Sequence, residues 1–257
     1  MDDEITLANR ERWEAEVRKK GGFTLPWLDL DSADILKYVE DRLDPVPYHL
    51  YQIYPAEILR DVAGRDVLCL ASGGGQQSAV FGLLGANVTV IDFTQGQLEG
   101  DIAAARHYGY PIKTICANIR DLSEVEDASF DLVYQGPSMS WVPSVREVYS
   151  GVSRIVRPGG RYRVDFGNPA NHALAWDGDS YTIVEPYTTR VYRHPDGAFD
   201  FRHYLSDIFN GLVEHSFRIA RVEERSWTLP DLEAPPGSWA HEMAYNVSFA
   251  VVAEKEI

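Results

Sequence analysis

Cysteines and basic residues are scarce in this sequence of 257 residues. There are two cysteines, and 24 lysines plus arginines stand against 39 aspartates plus glutamates. Two cysteines do not support a disulfide framework or a zinc cluster, and since Cys69 and Cys116 lie in apolar runs we expect both to be reduced core residues. The net charge of −15 argues against nucleic acid and anionic membrane surfaces as partners, because both bind clustered Lys and Arg.

Long apolar runs are absent as well. No run approaches the roughly 18 residues of a membrane-spanning helix, and the first residues, MDDEITLANRERWE, have neither the basic start nor the apolar stretch of a signal peptide. We therefore expect a cytoplasmic protein. With no internal repeat and no break in composition, one domain over residues 1–257 is expected, and a chain of this length buries roughly 70% of its extended surface.

From Arg65 onwards, short apolar runs rich in β-branched residues alternate with longer amphipathic segments. This rhythm predicts an α/β fold in which crossover helices connect the strands of a parallel sheet. The helices are predicted at 76–84, 94–108, 145–156 and 201–214. The strands are predicted at 66–70, 87–92, 113–117, 131–134, 162–166, 218–222 and 244–252.

Three segments flank the predicted core at 65–166. Residues 1–64 form an extension with predicted helices at 8–20 and 32–41, followed by an aromatic cluster at Tyr48, Tyr51 and Tyr54. The extension either packs against the sheet edge or covers a ligand cleft. Residues 167–200 lack periodicity and are interpreted as an insertion that shapes a substrate pocket. A C-terminal helix and strand pair, joined by a proline-containing loop at 227–243, complete the chain over 201–257.

The sharpest motif is LCLASGGGQQ at residues 68–77, a predicted strand that turns through glycines into a helix. Glycines let the backbone approach a ligand closely, and the N–H groups at a helix start attract a carboxylate or phosphate. Asp92, at the end of the next strand, has the position of an acid that accepts ribose hydroxyls. A dinucleotide fingerprint would place its glycines at Gly73, Gly75 and position 78, which is a serine.

Two later motifs narrow the interpretation: FDLVY at residues 130–134, and Arg157-Pro158-Gly159-Gly160 before the fifth strand. With the glycine loop and Asp92, they make the sequence resemble the class I S-adenosylmethionine-dependent methyltransferases, strongly over 64–166 and weakly beyond. The resemblance implies a Rossmann-like three-layer α/β sandwich with a seven-stranded, mostly parallel sheet whose last strand is antiparallel. It also implies S-adenosylmethionine as cofactor.

The resemblance further implies which residues contact the cofactor. The glycine loop would contact its methionine part, Asp92 its ribose, and Phe93 with residues 118 and 119 its adenine. The sequence departs from the family at Cys69, where many members have an acid, and at Ala71, where a glycine is commoner. The expected cofactor residues are Ala71, Ser72, Gly73, Gly75, Gln76, Asp92, Phe93, Gln97, Asn118, Ile119 and Gln135.

No sequence motif identifies the residues that bind the methyl acceptor. Methyl transfer is an in-line displacement that needs alignment and exclusion of water, while a general base is optional. His172, after the fifth strand, and Tyr134 are the candidate catalytic residues. Aromatic walls suit a small acceptor, and the expected acceptor contacts are Tyr51, Tyr54, Trp141 and Tyr181. No metal is expected, since the remaining histidines show no ligand spacing.

Two other functions stay open. A protein of this pattern could hold S-adenosylmethionine or its demethylated product without chemistry, because methyl transfer has no diagnostic catalytic residue. An NAD-dependent oxidoreductase ranks third, because the third glycine and a Tyr-x-x-x-Lys signature are missing. The sequence predicts methyl transfer to a small-molecule acceptor and leaves the acceptor and the oligomeric state open.

Overall fold

The computed structural model describes residues 3–226, 229 and 231–257, with the side chain of His172 outside that description. The helices are α1 (Glu4–Lys19), α2 (Ser32–Val39), α3 (Tyr48–Tyr51), α4 (Gln77–Leu83), α5 (Gln95–Tyr108), α6 (Val145–Ile155), α7 (Leu205–Glu214) and α8 (Trp239–Tyr245). The strands are β1 (Asp66–Leu70), β2 (Asn87–Asp92), β3 (Ile112–Cys116), β4 (Phe130–Gln135), β5 (Val156–Phe166), β6 (Leu174–Trp176), β7 (Tyr181–Ile183), β8 (Val191–Arg193), β9 (Phe199–Phe201), β10 (Phe217–Arg225) and β11 (Ser248–Lys255).

Seven strands form one sheet in the order β10-β11-β5-β4-β1-β2-β3. The pairs among β1 to β5 are parallel, whereas β11 runs antiparallel to both β5 and β10. The predicted fold, a mostly parallel seven-stranded sheet with an antiparallel last strand, is thus confirmed.

The side chains of β1 show how the sheet builds a core on each face. Successive strand residues point to opposite faces, so Leu68 and Leu70 join one buried cluster and Val67 and Cys69 join the other. The first cluster includes residues of α6 and α7, and the second includes residues of α4, α5 and the N-terminal extension. Helix α6 shows the expected spacing, with its buried side chains three or four positions apart.

Several predicted boundaries move in the structure. Strand β5 begins at Val156 rather than 162 and passes through the Pro-Gly-Gly turn, where a register shift against β4 absorbs the irregularity. Helix α7 begins at Leu205 rather than 201, because Phe201 ends β9.

The predicted loop at 227–243 and the predicted strand at 244–252 are both partly wrong. Helix α8 occupies Trp239–Tyr245, and the strand follows at Ser248–Lys255. Residues 227, 228 and 230 of that loop lie outside the described residues. Three prolines just before a seven-residue helix hid its pattern.

The two cysteines differ in exposure. Cys69 lies buried on β1, as predicted, whereas Cys116 is exposed, so its prediction as a core residue is wrong. Cys116 ends β3, the outermost strand on its side of the sheet, and a strand there is only partly covered. In the part of the chain that the structure describes, no helix is both long and apolar enough to span a bilayer.

The segment 167–200, which lacks periodicity in the sequence, contains short strands. β6 pairs with β7 and β8 with β9, each as a two-stranded antiparallel sheet. Both small sheets follow the carboxyl end of β5 in the chain, where the parallel strands open toward a ligand cleft.

Candidate cofactor and acceptor site

A cavity of about 620 Å³ lies at the carboxyl ends of β1, β2, β4 and β5. That volume is typical of a small-molecule site, and the position is where the strand order reverses between β1 and β4. The loops after these strands form its floor. Residues of α1 and of 21–24 form one wall, and residues of 194–208 and α8 form the other.

Gly73 and Asp92 lie in contact at the floor. A Cβ on Gly73 would lie 2.6 Å from the Gln97 Cβ and 3.0 Å from Asp92 Oδ2, so only glycine fits between them. The Gly73 N–H donates to Asp92 Oδ2 (3.2 Å) and the Thr94 N–H to Asp92 Oδ1 (2.9 Å). Burial raises the pKa of Asp92 to about 6, against the opposing effect of these N–H donors.

Asp101, on α5, was missed by the sequence interpretation. Its buried carboxylate accepts hydrogen bonds from the N–H groups of Gly74 and Gly75, both at 3.1 Å, and from the Ser78 hydroxyl at 2.5 Å. Burial raises the pKa of Asp101 to about 7. The one signal available in the sequence was an acid on the same helical face as Leu98 and Ala105, which are buried.

Residues 22–27 cover the glycine loop from above. Gln76 Nε2 donates to the carbonyl oxygens of Gly22 (2.9 Å) and Leu25 (3.0 Å). Gly75 does not line the cavity: its φ is +77°, and a Cβ there would lie 2.4 Å from the Gly100 carbonyl oxygen. Its glycine is therefore required by packing against α5.

Phe93, Asn118 and Ile119 lie together at the end of the cavity beyond Asp92, where the adenine was expected. The Asn118 amide donates to Thr6 Oγ1 of α1 (2.9 Å), and its oxygen accepts the Arg120 N–H (3.0 Å). The amide of Asn118 is thus already used to hold α1.

Gln135 and Tyr134 do not line the cavity. The Gln135 side chain is fully buried, donating to Ser138 Oγ (2.9 Å) and accepting from the Tyr162 hydroxyl (2.5 Å). The Tyr134 ring faces the other side of β4, where the Arg163 guanidinium stacks on it at 4.5 Å. The backbone after β4, Gly136 to Ser138, lines the cavity instead.

Three of the four aromatic residues expected at the acceptor lie elsewhere. Arg225 stacks on Tyr51 at 3.9 Å, and Arg163 stacks on Tyr54 at 4.7 Å. The Tyr181 hydroxyl bonds His241 Nδ1 (2.9 Å), which joins β7 to α8. Trp141 does line the cavity, while the side chain of His172 lies outside the described residues.

Trp141 lines the half of the cavity that lies away from Gly73 and Asp92, where an acceptor would bind. His194 stacks on its ring at 5.7 Å, and Trp13 of α1 meets it edge-on at 5.6 Å. The rest of this half combines aromatic or apolar residues with a few polar groups. Its members include Met139, Phe166, Asn168, Asp200, Phe201, His203 and Ile208.

Two histidines line the cavity, His194 and His203, and the sequence pattern selects neither of them. His203 is the buried one of the two. Its Nε2 lies 2.9 Å from the Met139 carbonyl oxygen, which can only accept, so the proton sits on Nε2 and Nδ1 keeps its lone pair. Burial lowers the pKa of His203. The imidazole is therefore neutral at neutral pH, which is the form that can accept a proton.

Helix α1 is tied across the cavity by Asn9. The buried Asn9 amide donates to the Trp141 carbonyl oxygen (3.0 Å), and its oxygen accepts the Phe199 N–H (2.7 Å). Arg12 adds an ion pair with Asp196 at 2.5 Å. The N-terminal extension thus covers the cleft through α1 and residues 21–24, not through its tyrosines.

Residues 68–164 match the family model of the methyltransferase domain. Together with the seven-stranded sheet and the cavity at its carboxyl edge, this match supports the resemblance to the class I S-adenosylmethionine-dependent methyltransferases. The protein is an S-adenosylmethionine-dependent methyltransferase, as the sequence predicted.

Its relatives agree with this assignment. The uncharacterized methyltransferase YbaJ of Bacillus subtilis is 29% identical over 184 residues, 66% of this chain and 72% of that protein. A ubiquinone biosynthesis O-methyltransferase of Chromobacterium violaceum is 29% identical over 151 residues, 57% of this chain and 60% of that protein. The Burkholderia thailandensis 1,6-didemethyltoxoflavin-N1-methyltransferase, solved with 1,6-didemethyltoxoflavin and S-adenosylhomocysteine, has the same fold, with a TM-score of 0.61 at 14% identity over 99% of this chain and 90% of that one.

The two raised pKa values give a pH-dependent stability. Asp92 and Asp101 titrate at about 6 and about 7 in the folded protein, against 3.8 ordinarily. The folded state therefore holds more protons than the unfolded state, and this stabilisation is lost as pH rises from about 4 to about 7. Asn does not titrate, so the free energy of unfolding of Asp101→Asn should lack this pH dependence. The difference in free energy of unfolding, variant minus wild type, should therefore become more positive from pH 5 to pH 8, by at most a few kcal/mol at about 1.4 kcal/mol per pKa unit. Urea unfolding without ligand measures it, and a pH-independent difference would contradict it.

Proposed function

We propose that this protein transfers the methyl group of S-adenosylmethionine to a small, flat acceptor bound beside Trp141 and His203. The observation that carries the proposal is the single cavity that runs from Gly73 and Asp92, at the cofactor end, to Trp141 and Phe166 at the other. In-line transfer requires donor and acceptor to share such a space.

The cofactor end fits S-adenosylmethionine chemically. Gly73 and Asp92 both line this end of the cavity, and the Asp92 carboxylate suits the two ribose hydroxyls. The side-chain oxygens of Gln77 and Gln97, both cavity residues, are buried and have no hydrogen-bond partner within the described residues. Buried acceptors without partners are costly, and a ligand carrying hydroxyl and ammonium donors would satisfy them.

The acceptor end suits a small ring-containing molecule. Trp141, Phe166 and Phe201 supply flat apolar walls, and His203 and Asn168 supply polar groups that orient a ligand. The printed names of two relatives, one acting in ubiquinone biosynthesis and one on a toxoflavin precursor, support a small-molecule acceptor. The net charge of −15 argues against nucleic acid.

The protein's own part in the reaction is alignment, exclusion of water and movement of one proton. S-adenosylmethionine, when bound, supplies a methyl group already activated by the sulfonium charge. Helix α1, tied by Asn9 to Trp141 and Phe199, forms one wall of the cavity and so reduces the access of water to a bound donor and acceptor. His203, a cavity residue with a neutral imidazole, is the group that would accept the proton lost by an O–H or N–H acceptor.

Calorimetric titration with S-adenosylhomocysteine, with NAD as the control ligand, tests the cofactor. We expect micromolar binding of the first and none of the second. Incubation with methyl-labelled S-adenosylmethionine and a panel of phenols, amines and nitrogen heterocycles then tests the acceptor, with tRNA as the contrasting substrate. Label on tRNA in place of the small molecules would overturn the acceptor proposal, and NAD binding alone would overturn the cofactor.

A further inference from the structure

The glycine loop is held from behind by a carboxylate of α5. Both oxygens of Asp101 take part: Oδ2 accepts the Gly74 N–H, and Oδ1 accepts the Gly75 N–H and the Ser78 hydroxyl. Asp101 itself has no exposed surface and does not line the cavity. It therefore acts on any ligand only through the loop.

We propose that Asp101 is a positioning residue that fixes residues 73–75 in the shape that receives the methionine part of S-adenosylmethionine. The inference rests on the proposed function and on the orientation that the family resemblance implies, with the methionine part of the cofactor at the glycine loop. Gly74 and Gly75 have φ values of +109° and +77°, a conformation that glycine permits but does not enforce. The Gln97 carbonyl oxygen also accepts the Gly74 N–H (3.0 Å), but the Asp101 carboxylate binds the N–H groups of both Gly74 and Gly75 and so constrains the two residues together.

An uncharged side chain cannot replace this carboxylate in full. All three groups that face Asp101 are donors. At pH 8, above the pKa of about 7, the carboxylate is ionised and has acceptor sites for all of them, and the binding test below is made at that pH. An amide has one accepting oxygen, so its NH₂ group would face the N–H of Gly74 or of Gly75. If the NH₂ group faces Gly75, the Gly75 N–H loses its acceptor; if it faces Gly74, that N–H keeps only the Gln97 carbonyl oxygen (3.0 Å) and meets a second donor. In either orientation we expect the loop to shift.

Strand β1 offers no substitute. Cys69 is buried near enough to Asp101 for the carboxylate charge to add to the rise of its pKa, of which burial is the larger cause. The Cys69 side chain is thus a neutral thiol, and a thiol is only a weak acceptor. The carboxylate for the glycine loop comes from the helix instead.

The test compares two ligands that differ only in the part under discussion. S-adenosylhomocysteine carries the amino-acid group, whereas 5′-methylthioadenosine keeps the adenosine and the sulfur but lacks that group. We expect Asp101→Asn to weaken the first about tenfold, as for a lost charged hydrogen bond, and the second by less than about threefold. A folding defect would weaken both equally, so equal loss, or no loss, would overturn the proposal.

Two further variants complete the design. Glu99→Gln makes the same chemical change at an exposed site of the same helix, and we expect it to alter neither affinity. Ser78→Ala removes one of the three donors and leaves the carboxylate, so it tests the network if Asp101→Asn does not fold; we expect a smaller but still selective loss for S-adenosylhomocysteine. An equal effect on both ligands would contradict the proposal. A wild type that binds both ligands equally would overturn the cofactor orientation itself, and the inference with it.

Discussion

Replacing Asp92 with Ala should weaken S-adenosylhomocysteine binding by about 100-fold. The carboxylate faces the cavity and accepts N–H groups from Gly73 and Thr94, which leaves acceptor sites for two ribose hydroxyls. Hydrogen bonds to a charged group contribute about 1.5 to 3 kcal/mol each, so the loss of two corresponds to at least that factor. Calorimetric titration of the variant gives the affinity directly.

Because Asp92 also holds the loop, a second comparison is needed to isolate the ribose contact. Adenosine and 2′,3′-dideoxyadenosine differ only in the two hydroxyls. The wild type should prefer adenosine, and Asp92→Ala should abolish that preference while binding dideoxyadenosine nearly as well as before. A variant that keeps the full preference for adenosine would show that the hydroxyls bind elsewhere.

The sheet and the glycine loop could be predicted because their determinants are local. Residues 68–77 and Asp92 form one strand, loop, helix and strand, and the turn chemistry and apolar runs alone specify it. Ala71, Ser72, Gly73 and Asp92 accordingly lie together in the cavity.

The acceptor side could not be predicted in the same way, because distant segments build it. Asn9 of α1 bonds residues 132 and 190 positions away in the chain, and no periodic pattern encodes such a pairing. Aromatic residues were ambiguous for a different reason. Tyr51 and Tyr54 are large, flat and amphipathic whether they face a ligand or cover an arginine, and here both cover arginines.

Asp101 and His203 show a third limit. A buried polar residue on an otherwise apolar helix face indicates an unusual environment, but only the folded structure shows which donors face it. For Asp101 these are the loop N–H groups, and for His203 the acceptor is the Met139 carbonyl. Residues that break the local pattern in this way are often placed by the needs of a functional site, and the pattern alone does not show what those needs are.

Breaking the buried pair of Arg163 and Asp165 should lower the free energy of unfolding more than any other substitution proposed for this protein. Arg163 is fully buried between the rings of Tyr54 and Tyr134 and pairs with the Asp165 carboxylate. Asp165→Ala leaves a guanidinium that cannot give up its charge, and removal of one partner from such a pair costs about 3 to 5 kcal/mol. Urea unfolding without ligand measures it, and a loss below about 1 kcal/mol would contradict the prediction.

A variant at the other member of the pair, Arg163→Met, shows whether the loss of stability comes from an unpaired charge or from lost packing. Arg163→Met leaves the Asp165 carboxyl, which can take up a proton and become neutral, an escape that arginine lacks. We therefore expect Arg163→Met to cost less than Asp165→Ala, and its cost to shrink as pH falls from 8 to 5. The double variant Arg163→Met with Asp165→Leu removes both charges and should be more stable than Asp165→Ala alone. If all three variants lost the same stability at every pH, packing around Tyr54 and Tyr134, rather than the unpaired charge, would account for the loss.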